Sequence, residues 1–322
     1  MPAALNSEST NAHSSKFISN WTTQQYLKSQ NPMFKMLQFI FSHPLNKGKF
    51  FASLSRLVRW QIASRLLDGP IALPFVNNTF LFATKGMSGA TGNWYCGLYE
   101  VAEMGFVLHL LKPEDLFLDI GANVGSYTVL AAGVSRANVI SIEPIPQTMS
   151  HLQRNVTLND IRERVEFVCM GVSNQVGTVE FTSNLDAMNH ILESGSSDIG
   201  VQVEVTTVDT LIGSNVPMLI KLDVEGHEFP VLKGAHNVLS DPRLCALIVE
   251  TNNSGVRYGY SNQDVFTLLQ GYGFEAVWYD PYSRRIVVHD SSQENTIFIR
   301  NRGDIELRLA SAKKFKLVNG YI

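Results

Sequence analysis

Leu116-Phe-Leu-Asp-Ile-Gly-Ala-Asn-Val-Gly125 begins as a short apolar run and ends as a glycine loop that opens a helical pattern reaching about Ala132. A buried strand, a tight loop and a helix N-terminus in that order place free backbone N–H groups beside a ligand crevice. The spacing Gly121 to Gly125 is G-x-x-x-G, so the G-x-G-x-x-G of dinucleotide-pyrophosphate sites is absent. No Lys-Ser/Thr pair follows, which excludes a phosphate-cradling P-loop. Asp119, at the strand end, reads as a carboxylate directed into the crevice, welcome to a cation and hostile to a pyrophosphate. The next apolar run, Asn138–Ile142, ends in Glu143-Pro144. An acid at the tip of the second strand is placed to accept hydrogen bonds from both hydroxyls of a ribose.

Outward from this loop the alternation continues. A helix is expected from about Gln147 to Leu158 and a strand over Val165–Met170. Alternating segments Thr178–Thr182 and Val201–Thr206 read as a hairpin. Apolar runs follow at Leu219–Leu222, Leu244–Glu250, Phe274–Trp278 and Thr296–Ile299, with a helix over Asn262–Gln270. Strands alternating with helices predict an α/β fold with a mostly parallel sheet covered on both faces.

A third informative segment is Lys221-Leu-Asp223-Val-Glu225-Gly-His227-Glu228. Asp223 and Glu225 emerge from the carboxyl end of a buried strand, where open α/β sheets hold their ligands. Four ionisable groups within six residues are costly to assemble unless they have partners or chemistry. The plainer reading, strongest for Glu228, is that helix N-terminal acids complement the helix dipole.

The chain has 322 residues, 45% hydrophobic and 17% charged, with a net charge of -3. That composition supports a packed core and argues against a globally basic nucleic-acid binder. Three cysteines (Cys96, Cys169, Cys245) form no CxxC, which favours a reducing compartment over a disulfide or zinc scaffold. No stretch of 18 apolar residues and no secretory leader pattern is seen, so a cytoplasmic location is expected. Residues 1–15 are small and polar and read as a disordered tail. Residues 16–67 hold eight Lys/Arg and no Asp or Glu, on a chain that is otherwise strongly acidic. Phe50, Leu54, Leu57, Val58, Ile62 and Leu66 recur there at helical spacing, after a second apolar run, Met33–Phe41. Two basic amphipathic helices are expected over 16–68. Their apolar faces either pack on the main domain or a second subunit of a homodimer, or dock on an anionic membrane surface or lipid. Residues 69–114 read as a lead-in: a strand or hairpin near Phe75–Ala83, a turn at Gly86, Gly89 and Gly92, and a helix from about Leu98 to Leu111. The main domain is expected over 115–302 and a C-terminal extension over 303–322.

DIGANVGSYT, SIEP, KLDVEGHEFPVLKGA and IVE together resemble the FkbM-type family of S-adenosylmethionine-dependent methyltransferases. The likeness spans roughly residues 95–300, and the DVEGxE segment is its most specific part. It implies a seven-stranded Rossmann-like sheet and O-methylation of a hydroxyl on a sugar, glycolipid or secondary metabolite. By position it implies that Asp119, Gly121, Ala122, Asn123 and Gly125 cradle the methionine portion of the cofactor. Glu143 and Pro144 would hold the ribose, Gly171-Val172 would lie beside the adenine, and Asp223 and Glu225 would sit at the reacting centre. His227 stands where the family has a small residue. Methyl transfer needs an acceptor oxygen in line with the sulfonium methyl and a group to take its proton. Asp223, Glu225 and His227 are candidates, with His227 preferred as base, and so is His190 in the loop between the hairpin strands. An NAD(P)-dependent oxidoreductase lacks its glycine motif here. A non-catalytic adenosylmethionine-binding subunit need not keep Asp119, Glu143 and Asp223 together. In a metal-dependent variant, Asp223, Glu225 and His227 would ligate a divalent ion.

Overall fold

A computed structural model describes residues 32–182, 200–288 and 294–322. The expected tail at 1–15, the start of the basic segment and His190 lie outside the described residues.

Helices α1 (Pro32–Ser42) and α2 (Phe50–Leu66) match the two expected basic helices. A hairpin of β1 (Ile71–Pro74) and β2 (Phe80–Ala83) follows, then α3 (Ser88–Cys96) and α4 (Val101–Leu110). Of the three glycines expected in a turn, Gly86 lies in one, with φ +105°, whereas Gly89 and Gly92 are helical in α3. A second break falls at Gly97, between α3 and α4, whose φ is +88°. β3 (Leu116–Ile120) leads through the glycine loop into α5, a first turn at Ser126–Thr128 continued by wide π-type turns over Val129–Ser135.

After β4 (Asn138–Ile142) come α6 (Pro146–Leu158) and β5 (Val165–Val168). The chain then forms a separate three-stranded sheet of β6 (Gly171–Val172), β7 (Gly177–Thr182) and β8 (Gly200–Thr206), in the order β6-β8-β7. It returns through α7 (Val208–Ile212) to β9 (Leu219–Leu222), α8 (Glu228–Lys233), α9 (His236–Ser240) and β10 (Ala246–Glu250). The last part comprises α10 (Asn262–Gly271), β11 (Glu275–Asp280), β12 (Arg285–Val288), β13 (Asn295–Ile299) and α11 (Arg302–Ser311). A small hairpin of β14 (Lys316–Leu317) and β15 (Gly320–Tyr321) completes it.

The main sheet runs β12-β11-β13-β10-β9-β3-β4-β5. Pairing is parallel from β10 through β5 and antiparallel at β10–β13, β13–β11 and β11–β12. This is the mostly parallel sheet that the alternation predicts and the Rossmann-like sheet that the resemblance implies. It has eight strands rather than seven, because the hairpin β11–β12 adds an edge strand. The central strands are buried on both faces and alternate between two cores. Phe117, Val139, Leu219 and Ile248 face one; Leu118, Ile120, Ile140, Leu222 and Leu247 face the other. The first core also takes in Ile40, Leu45, Leu57 and Trp60 from the N-terminal segment and Phe315, Leu317 and Ile322 from the C-terminal end.

The apolar stripe read in α2 is only partly inward. Leu57 is buried and Leu54 half-buried, but Phe50, Val58, Ile62 and Leu66 are exposed, and the inward face is Ser53, Arg56, Leu57 and Trp60. Arg56 is spent inside the fold, donating to Tyr95 O and Asn46 Oδ1.

The register places the site. Ile120 lies opposite both Ile142 and Leu222, so the loops leaving β3, β4 and β9 open side by side at one end of the sheet. β3 continues to β4 and β5 on one side, while β9 and β10 pair on the other. The chain therefore reverses direction across the sheet between β3 and β9, where open α/β sheets form their ligand crevice.

Candidate active site

A cavity of about 230 Å³ occupies this crevice. Its walls include the loop Gly121–Val124, Glu143-Pro144, Gly171-Val172, and Lys221, Asp223, Glu225 and His227, all singled out in the sequence except Lys221 and Val124. Ser88, Gly89, Asn93, Tyr99 and Glu100 bring α3 and the turn after it to the same space.

The glycine loop is shaped by its neighbours. Gly121 has φ +76°, and a Cβ there would lie 1.7 Å from the carbonyl oxygen of Asp223. Only glycine lets the loop after β3 touch the loop after β9. Gly125 also has a left-handed φ, +86°, but a Cβ there would meet Leu152 of α6 and not the cavity. Its role is a close turn against α6, which corrects its expected place in the cradle. Asn155 of α6 fastens the same loop, donating to Val124 O at 2.7 Å and accepting from Phe82 N at 2.7 Å.

Asp119 does not reach the crevice. Strand alternation puts it on the face of Phe117, completely buried, with Oδ2 accepting from Thr128 Oγ1 at 2.7 Å. Thr128 in turn meets Ser141 Oγ at 2.8 Å. Asp119 thus anchors α5 below the cavity floor, a correction to its reading as a carboxylate aimed at the ligand. Burial raises its pKa.

Glu143 lines the cavity as expected. Its Oε2 accepts from Asn123 N and its Oε1 from Ile145 N, both at 3.1 Å. Each oxygen keeps a lone pair for a further donor. Burial pushes its pKa up to about 7, against the pull of those two backbone bonds.

The segment after β9 is held open by its own acids. Glu225 has φ +53°, uncommon outside glycine. Glu228, at the start of α8, accepts from Val224 N at 3.0 Å and Gly226 N at 3.1 Å and so clamps the turn from behind. Glu228 does not line the cavity. The helix-dipole reading given for it in the sequence fits this position in the first turn, and burial raises its pKa to about 7. Asp223 accepts from Lys221 Nζ at 2.8 Å. Lys221 is buried and sits 4.8 Å from the ring centroid of Tyr127. Burial opposes its charge, but Asp223, Asp119 and Glu100 together hold it above the ordinary lysine range.

His227 lines the cavity with Nε2 3.0 Å from Ser173 Oγ and its ring edge-on to Tyr258. Its Nδ1 is buried with no hydrogen-bond partner. Burial, with Lys233 nearby, lowers its pKa to about 4, so it is neutral at physiological pH.

Glu250, Glu100 and Tyr127 had no assigned role in the sequence reading. Glu250, at the end of β10, shares a cluster with Asp223 and Glu225 in which one oxygen of each lies within 4.8 Å of the others. Its Oε1 accepts from Asn252 Nδ2, its Oε2 is buried without a partner, and burial plus repulsion from Asp223 raise its pKa. Glu225 is likewise raised to about 7, by burial and then by Asp223. Glu100 accepts from Tyr127 OH at 2.5 Å and Asn295 Nδ2 at 2.7 Å, and burial raises its pKa. The apolar run ending in Glu250 was a usable signal for that residue. Glu100 and Tyr127 carried none, because they meet only through the fold.

Residues 119–276 match the model of the methyltransferase FkbM domain. The chain is 29% identical over 171 residues to the hexuronic acid methyltransferase AglP of Haloferax volcanii, covering 51% of this chain and 64% of that protein. It therefore spans less than two thirds of that relative's length. It is 26% identical over 201 residues to methyltransferase sdnD of Sordaria araneosa, covering 51% of this chain and 75% of that one. Among solved structures, M. jannaschii TYW2 in complex with AdoMet aligns with a TM-score of 0.40 at 12% identity, covering 73% of this chain and 89% of that one. Residues 119–276, with the glycine loop at one end of the match and the Asp223–Glu228 turn within it, are thus similar to the FkbM methyltransferase domain.

Proposed function

We propose that this chain transfers the methyl group of S-adenosylmethionine to a hydroxyl of a sugar or similar small acceptor. The charge of the cavity carries the reading. Among the described residues its wall presents five carboxyl groups (Glu100, Glu143, Asp223, Glu225, Glu250) and one ammonium, Lys221, already paired with Asp223. Such a lining favours a sulfonium cation and repels a pyrophosphate, so it opposes a nicotinamide dinucleotide. The residues present fit adenosylmethionine. Glu143 has acceptor capacity left for ribose hydroxyls, the loop Gly121–Val124 offers close main-chain approach, and Gly171-Val172 supplies an uncharged wall for the adenine. When bound, the cofactor supplies an electrophilic methyl carbon.

The protein's task is then to hold the acceptor oxygen in line, exclude water and take a proton. Glu225 is the acid best matched to that last task. Its pKa of about 7 lies near working pH, whereas His227 at about 4 is a weak base. The preference for His227 therefore moves to Glu225 Oε, with Glu250 beside it. His190 lies outside the described residues and keeps its standing as a further candidate. An acidic acceptor end suits a neutral hydroxyl better than a uronate carboxylate, so neutral sugars are the first acceptors to try. AglP's hexuronic acid supports the sugar class.

Calorimetry with adenosylmethionine, its demethylated product and NADH tests the cofactor. Binding of the first two with no binding of NADH is expected; stabilisation by NADH alone overturns the reading. Incubation of a neutral-sugar and uronic-acid panel with labelled cofactor, followed by mass spectrometry, tests the acceptor. A parallel run with EDTA separates proton acceptance by the carboxyl cluster from ligation of a divalent cation. Adenosylmethionine binding with no methyl transfer to any acceptor would favour a non-catalytic binding subunit.

A further inference from the structure

We propose that the outward face of α1 and α2 docks on the surface of an anionic lipid bilayer. The observation is a helix with two opposed apolar sides, only one of which the fold uses. Trp60 and Leu57 face inward, together with Ser53 and Arg56. On the opposite side Phe51, Val58, Ile62 and Leu66 stand at positions i, i+7, i+11 and i+15, exposed by 84%, 45%, 53% and 77%. Phe50 extends this face to α1, stacking on Phe41 at 4.6 Å and meeting Phe51 at 5.6 Å. Four exposed large apolar residues on one side of a single helix are more than isolated surface apolar residues explain.

The charge around the stripe selects its partner. Lys35, Lys47, Arg59 and Arg65 are exposed, and among the described residues none of them forms an ion pair. No acid occurs between residues 32 and 67, and the first, Asp68, lies beyond the end of α2. An exposed apolar ridge on a segment that carries cations and no acid matches a bilayer interface of anionic headgroups over acyl chains. It does not match a second copy of itself, because a two-fold contact through this face would set cation against cation. The helical pair also adjoins the cavity. Phe39 of α1 packs 5.2 Å from Tyr99, a cavity wall residue, and His43 Nε2 lies 3.3 Å from Tyr99 O.

The inference stands apart from the methyl-transfer reading, and its test uses no enzyme activity. The full chain is sedimented with vesicles of phosphatidylcholine alone and of phosphatidylcholine mixed with phosphatidylserine, at low and high salt. Binding to the anionic vesicles at low salt, released at high salt, is expected. Phe51→Asp with Ile62→Asp, and separately Arg59→Glu with Arg65→Glu, should each weaken binding by roughly tenfold or more. All four positions are exposed, so circular dichroism and melting should match the parent chain. Failure to bind anionic vesicles overturns the proposal, as does equal binding to neutral ones or full binding by either double variant. A dimer that Phe51→Asp splits, with no vesicle binding, overturns it in favour of a subunit contact.

Discussion

Glu143 and Glu228 are both buried and both pushed up to about 7, yet only Glu143 faces the cavity. Glu228 spends its carboxylate on the backbone of its own turn. The two residues should therefore fail differently. Glu143→Gln keeps a side chain that can still fill the space but loses the charge that strengthens bonds to ribose hydroxyls. Adenosylmethionine should bind about 1–3 kcal/mol more weakly in calorimetry, with little change in melting temperature. Glu228→Ala removes the acceptor for two backbone donors and should lower the melting temperature as well as activity, at about 1–3 kcal/mol for each donor left unpaired. Glu225→Gln should cut turnover by about 10²–10⁴-fold with cofactor affinity retained, and His227→Ala should cut it less. The reverse order of damage would return the base to His227.

At the scale of elements, one hairpin ties the chain's end to its beginning. Asn319, in the turn between β14 and β15, donates from Nδ2 to Leu45 O at 3.2 Å, Asn46 Oδ1 at 2.9 Å and Cys96 O at 2.7 Å. Lys49 Nζ in turn donates to Asn319 O at 2.5 Å. This knot fixes α2 against α3, and α3 forms one cavity wall. Asn319→Ala leaves buried carbonyls without a donor and should cost about 1–3 kcal/mol, seen as a lower melting temperature. Because neither Asn319 nor the groups it donates to line the cavity, cofactor affinity measured below the transition should hold within a small factor. A second test at this scale concerns the crossing of the β3 and β9 loops. Gly121→Ala forces a Cβ onto the Asp223 carbonyl in addition to the left-handed backbone cost of about 1–2 kcal/mol. It should therefore lower both stability and cofactor binding.

For the whole molecule, the buried titratable groups set how stability follows pH. Glu103, Glu143, Glu225 and Glu228 are raised to about 7, so between their unfolded values and 7 the folded chain holds more protons than the unfolded one. Their contribution to stability is present at low pH and lost as pH rises through 7. His109 and His227 are lowered to about 4, and His43 is also lowered, which works in the opposite sense. Their contribution is lost as pH falls below 6.5. The two sets oppose each other between about 4.5 and 6.5, and only the acids titrate above that window. Without cofactor, the melting temperature should therefore decline from pH 6.5 to 8 in a scanning measurement. A rise over that interval would show that the carboxyls are ionised in the folded state without cost.

The sequence by itself determined the order of elements and the three loops of the site. Those are local facts: apolar runs of strand length, a glycine loop opening a helix, and acids placed just after buried strands. Glu143, Asp223, Glu225, His227 and Gly171-Val172 reach the cavity for that reason. The tertiary structure alone decided which side of β3 Asp119 takes, because strand parity is fixed by the cores on either face. It alone brought Glu100, Tyr127, Asn295 and Glu250 around Lys221, since residues nearly 200 positions apart meet only when strand order is set. It also decided that most of the apolar stripe of α2 faces outward. Helical spacing shows that such residues share a side, but only the packing of Trp60, Leu57 and Arg56 against the rest of the chain determines which side is turned in.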